Sequence, residues 1–183
     1  MKFMFMLSLF SSVAYSQSQI HLTDAVTGAQ SWEIKKHGVV LYLNQLLPDQ
    51  VRAFYGNRGF SQSQIDNYAR SCVFMTVLRN ESAHGVIKYK SSDWRVNSEN
   101  KEVTIKSVNA WLNGYKTMGV KKSALIAFRW AQFPIDQEYE PGGDWNQGML
   151  SLGSYTHAVE VIARWTLENK PQQITLTGVN CAL

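Results

Sequence analysis

Cys72-Val73-Phe74-Met75-Thr76-Val77-Leu78 is the stretch on which the fold turns. It is rich in β-branched and aromatic residues, which favour extended backbone. Apolar side chains occupy odd and even positions alike, so a strand here offers a hydrophobic side to both faces, as a central strand does. Just before it, Ser61-Gln62-Ser63-Gln64 has the form of a capping box, with a hydroxyl at the N-cap and a glutamine three residues on. Ile65, Tyr68, Ala69 and Cys72 then fall on one side, so residues 61–71 read as a short amphipathic helix delivering its end into the strand. Just after it, Arg79-Asn80-Glu81-Ser82 reads as a turn. Gly85–Lys90 and Asp93–Val96 follow as alternating strands, the pattern of an antiparallel meander.

Working outward, residues 17–31 are polar and small, and read as a loose lead-in. Trp32-Glu33-Ile34 and Gly38–Leu43 read as strands, and Pro48-Asp49 starts a helical turn with Val51, Phe54 and Tyr55 on one face. Glu102–Ile105 is again strand-like. Ser107 caps a helix whose Val108, Trp111, Leu112, Tyr115 and Met118 form one apolar stripe, with Gly119 as its stop. Ala124–Phe133 reads as a strand ended by Pro134, and His157–Leu167 with Gln173–Val179 reads as a closing hairpin. Short strands with helices inserted between them, and no βαβ rhythm, point to a mainly β chain. The expectation is one antiparallel β-sandwich domain over residues 17–183 with two or three short inserted helices, the immunoglobulin-like arrangement being one form of it.

Met1-Lys2 followed by Phe3–Phe10 and the small residues Ala14 and Ser16 has the form of a secretory signal peptide, residues 1–16, cut after Ser16. Its apolar run of about ten residues is half the ~20 needed to cross a bilayer, and no cysteine follows it for lipidation. Nothing later is long and apolar enough to span a membrane, so no stable membrane insertion is expected. Of the 18 Lys and Arg, one is Lys2 in the leader, leaving 17 against 14 acids. That balance does not argue for a nucleic-acid partner. Cys72 and Cys181 are the only cysteines, and in an oxidising compartment an even count predicts a disulfide between them.

The stretch Tyr139–Met149 is the least explained by folding needs. Its Pro141, Gly142 and Gly143 mark a loop, yet it also carries Glu140, Asp144, Trp145, Asn146 and Met149. Loops held by a rigid β scaffold are where binding groups collect. Trp145 would supply stacking area, with Asp144 and Asn146 supplying orienting hydrogen bonds. The leading expectation is therefore a non-enzymatic accessory or binding protein, exported to a bacterial periplasm or secreted, needing no cofactor. The 139–149 loop would hold a partner protein or small ligand.

A second reading is a periplasmic copper carrier, because thioether and imidazole groups suit that metal; its ligands would be His84, His157 and Met149, which form no sequence cluster. A third is a small hydrolase using Glu138, Glu140 and Asp144, though Gly148–Gly153 misses the Gly-x-Ser-x-Gly elbow by one residue. No zinc helix motif, phosphate-cradling glycine loop or Cys-x-x-Cys pair occurs. Asn80-Glu81-Ser82 matches a glycosylation acceptor, a signal of little weight behind a leader of bacterial form.

Overall fold

The computed structural model describes residues 18–182, so the leader expected at 1–16 lies outside the described residues. Two antiparallel sheets face each other. The first contains β1 (Gln19–Thr23), β2 (Gln30–Lys36), β3 (Val39–Gln45), β4 (Val73–Asn80) and β9 (Asp144–Ser151), side by side in that order. The second is built on β10 (Val159–Leu167), which pairs with β11 (Lys170–Val179) along one edge. Along its other edge β10 pairs with β5 (Ile87–Lys90) and then β6 (Arg95–Ser98), with β8 (Asp136–Tyr139) and β7 (Lys101–Thr104) outside them. This is an antiparallel β-sandwich, and the first sheet is a sequential meander with one late strand added, an order unlike that of immunoglobulin domains.

Among the described residues four short α-helices, one more than expected, form a third layer: α1 (Pro48–Gly56), α2 (Gln62–Ala69), α3 (Val108–Thr117) and α4 (Lys122–Ala131). The period of β4 explains why. Phe74 and Leu78 point into the sandwich beside Leu41, Trp94, Val161 and Trp165. Val73 and Met75 point the other way, into a second core with Tyr55, Tyr68, Trp111, Tyr115 and Phe128. A strand apolar on both faces needs cover on both, and the helices supply the second cover.

Phe128 is the hub of that second core, with ring centroids 5.2, 5.0 and 4.9 Å from those of Tyr55, Tyr68 and Tyr115. Its polar atoms are chained together. Tyr68 Oη donates to Gln132 Oε1 at 2.8 Å, Gln132 Nε2 donates to Tyr55 Oη at 2.7 Å, and Tyr55 Oη donates to Met149 Sδ at 3.3 Å. Burial disfavours the phenolate and pushes the Tyr55, Tyr68 and Tyr115 hydroxyls upward in pKa.

Several expectations hold in detail. Ser61 and Gln64 make the capping box, Ser107 caps α3, and β10 with β11 form the closing hairpin. The hairpin closes on two residues, Glu168 and Asn169, at φ +50° and +62°, the left-handed pair that matches strand twist. Three expectations are corrected. The 17–31 lead-in contains β1, held to β2 over its whole length. Ala124–Phe133 is not a strand: Ala124 and Phe128, one helical turn apart, are buried while Ile126 between them is exposed, whereas a strand would set all three on one face. Finally, β4 and β5 are not meander neighbours, because the chain changes sheets between them. Asn80, fully buried at that crossing, donates to the carbonyls of Gly85 and Tyr139 at 2.9 and 3.0 Å and accepts from the Ala83 amide at 3.1 Å.

Leaving α4, the chain crosses the edge of β9, where the Phe133 amide donates to the Met149 carbonyl at 2.9 Å. Gly148 makes this possible, since a Cβ there would lie against the Phe133 nitrogen and 2.5 Å from the Gln132 carbonyl oxygen. Gly148→Ala is expected to cost about 3 kcal/mol in denaturant unfolding, the upper range for an overpacked site. Gly114→Ala, at a helical glycine whose Cβ would meet nothing within 4 Å, should instead stabilise by about 0.5–1 kcal/mol.

The Cys72–Cys181 disulfide joins the start of β4 to the segment after β11, with Cα atoms 4.8 Å apart and a sequence separation of 109. It ties both sheets to one point and constrains most of the unfolded chain. Replacing both cysteines by alanine is expected to lower unfolding free energy by about 4 kcal/mol, measured as a shift of the denaturant midpoint at unchanged slope.

Candidate functional site: the Trp145 end of the five-stranded sheet

The residues singled out between Tyr139 and Met149 do not form one loop. Only Glu140–Gly143 is a turn, with Gly142 and Gly143 at φ +98° and +104°, and Asp144–Met149 lies in β9, paired with β4 residue by residue. Strand alternation then separates the group. Trp145, Gln147 and Met149 face the outer side of the first sheet, while Asp144 and Asn146 face the other side.

Those two polar residues serve the fold. Asp144 Oδ2 accepts from the Glu140 amide at 3.1 Å and closes the turn. Asn146 lies against the phenol of Tyr139, a group raised in pKa mainly by burial. Neither orients a ligand on the face that Trp145 occupies. Met149 is 4 % exposed and packs against Tyr55 in the helical core, so it is not part of the solvent-facing surface around Trp145.

Trp145 is different. Four of the six tryptophans, Trp32, Trp94, Trp111 and Trp165, are buried, whereas Trp145 is 49 % exposed. The register places its neighbours: across β4, β3 and β2 in turn stand Arg79, Val40 and Lys35. The next row inward is Gln147, Val77, Tyr42 and Glu33, ending at Ile20 of β1. Of the outward residues of this sheet, the helical core takes Val73, Met75 and Met149 and leaves these two rows outside it. The result is a shelf beside the helices, part aromatic and part charged. Arg79 Nη2 donates to Glu81 Oε1 at 3.1 Å, and Lys35 pairs with the same carboxylate. Lys35, then Arg79, hold the Glu81 carboxyl below its usual pKa, so at neutral pH this end carries a fixed pattern of two cations about one anion.

The copper ligands are not brought together. His84 Nε2 lies 3.4 Å from Glu168 Oε2 at one end of β10, and His157 Nε2 lies 2.7 Å from Ser98 Oγ at the other. The length of β10 separates them by about 26 Å at roughly 3.3 Å per residue. Met149 is buried on the far side of the other sheet, and no cluster of three His, Cys, Asp or Glu suited to a metal occurs among the described residues.

The carboxylates do not converge either. Glu138 pairs with Lys88 at 2.8 Å and lines an open groove of about 1030 Å³ across the second sheet, which includes neither Glu140 nor Asp144. Ser151, in the near-miss elbow, is buried and donates to the Ser71 carbonyl at 2.8 Å. Asn80 is buried with its amide fully engaged, so the glycosylation triplet is closed.

Arg79, Tyr42 and Lys35 were not legible as companions of Trp145. They sit tens of residues away, and only the pairing register brings them to one face. Comparison with protein-family models, with curated proteins and with solved structures finds no match.

Proposed function

We propose that this chain is an exported, non-enzymatic binding domain that holds a partner at the Trp145 end of its first sheet. The observation that carries the reading is a half-exposed Trp145 on a strand fixed by eight cross-strand pairs. Tryptophan presented on rigid backbone binds with little loss of side-chain freedom, which is why such residues dominate the energy of binding surfaces. Arg79 and Lys35 about Glu81 add a charge pattern that selects orientation more than it adds affinity. Among the described residues no strand lies beside the outer backbone edge of β9 between Asp144 and Gln147, so an extended partner segment can pair there while a side chain seats on the indole.

The test is a photo-reactive amino acid at Gln147, illuminated in cells that export the protein. A discrete cross-linked adduct is expected, lost with Trp145→Ala and retained with an exposed control change such as Lys101→Ala. Trp145→Ala should move unfolding free energy by less than about 0.5 kcal/mol, the usual range for surface changes. The reading fails if no adduct forms above that seen with the probe at Lys101, or if the adduct survives Trp145→Ala.

A further inference from the structure

Charge is not spread evenly through this fold. From Lys106 to Ile135 the sequence carries Lys106, Lys116, Lys121, Lys122 and Arg129 and no aspartate or glutamate. Counting residues 48–70 and 106–131, the helical layer holds eight Lys and Arg against two acids, while the rest of residues 17–183 holds nine against twelve. The two helical acids, Asp49 and Asp66, are already paired with Arg52 and Arg70. Elsewhere cations also meet carboxylates, as in Lys88–Glu138 and Arg164–Glu102. Among the described residues none of the five cations of the α3–α4 hairpin makes an ion pair, so its field is not cancelled locally.

The same hairpin exposes apolar surface. Lys122, Ile126 and Trp130 stand at i, i+4 and i+8 on α4, opposite the buried Ala124 and Phe128. Trp130 is 84 % exposed, Ile126 49 %, and Met118, where α3 ends, 50 %. Packing does not explain an indole held almost wholly in water on this helix. An amphipathic surface helix normally turns such residues inward, so α4 carries a second apolar stripe that the fold itself does not use.

We propose that the α3–α4 hairpin seats the protein on an anionic lipid surface, with Trp130 and Ile126 at headgroup depth and Lys116, Lys121 and Lys122 against phosphates. Charge complementarity chooses this occupant. Lys121 and Lys122 at the start of α4 and Lys116 in the last turn of α3 are point charges on flexible stems, which suit a fluid layer of phosphates better than one fixed set of carboxylates. Arg129, whose fork would suit a fixed carboxylate, is already engaged, donating to Asn109 Oδ1 at 3.0 Å. Tryptophan beside lysine on one helix face is the composition of an interfacial helix, in which the indole rests at the boundary of headgroup and acyl chain. Among the described residues no helix is long and apolar enough to cross a membrane, and the contact proposed is a peripheral one.

Every described strand and helix lies between Gln19 and Val179, so the test uses residues 17–183 and omits the apolar leader, which would itself partition into lipid. Sedimentation is measured with vesicles of phosphatidylcholine and phosphatidylglycerol in equal parts, and with phosphatidylcholine alone. Binding is expected to the mixed vesicles only, and to weaken as salt is raised. Lys121→Glu with Lys122→Glu should weaken it at least about tenfold. The same charge change on the sandwich, Lys101→Glu with Lys170→Glu, should weaken it by less than about threefold. Trp130→Ala or Ile126→Ser should weaken it about fivefold with the unfolding midpoint unchanged, both side chains being exposed. Absence of binding, or equal loss in the two charge variants, overturns the proposal. So does capture by polyglutamate beads with no capture by vesicles, which would assign the hairpin to an acidic macromolecule instead.

Discussion

The two-sidedness of β4 is the constraint on which the rest of this structure depends. Its even positions Phe74 and Leu78 belong to the core between the sheets, and its odd positions Val73 and Met75 belong to the core beneath the helices. Because side chains alternate strictly, a slip of one residue would send each set into the wrong core, so the register is specified twice over. Both flanks of the strand are paired along their length, by β3 on one side and β9 on the other. The ends are fixed as well, by the Cys72–Cys181 bridge at the start and by the buried amide of Asn80 at the finish.

What faces solvent follows from what β4 fixes. β9 has no apolar alternation of its own at its first four residues, Asp144-Trp145-Asn146-Gln147, and owes its place to β4. That pairing turns Trp145 outward beside Arg79 and turns Asp144 and Asn146 to the other face. The helical layer, recruited to cover Val73 and Met75, brings its own consequence: a cation-rich hairpin on the same side of the first sheet as Trp145. The two exposed tryptophans, Trp145 and Trp130, are thus both products of the second core, one left beside the helices and one carried on them.

The parts of the fold legible in the sequence are those where one period is clean. The stripe Trp111, Leu112, Tyr115 on α3, the Ser61 box and the β10–β11 hairpin each show a single period bounded by its own stop signal. α4 was misread because Leu125 and Ile126 fill in between Ala124 and Phe128 and Trp130 follows, so apolar residues satisfy both periods at once. β9 was misread because Pro141-Gly142-Gly143 marks a true turn, and the polar edge strand after it looks like more of the same. For the candidate site, exposure of Trp145 was open in the sequence and its neighbours were invisible, since cross-strand distance does not follow sequence distance. The absence of acids between Lys106 and Ile135 was countable all along, but it gains meaning only once α3 and α4 form one hairpin.

Native-state hydrogen exchange, followed over a range of denaturant below the unfolding transition, tests the role of β4 most directly. If β4 is the shared wall of both cores, the amides of Val73–Leu78 exchange only through global unfolding, and the slowest amides of α4 and β10 converge on the same free energy. If the Val73–Leu78 amides instead open at lower free energy while β10 and β11 stay protected, the sandwich stands without β4 and the account is contradicted.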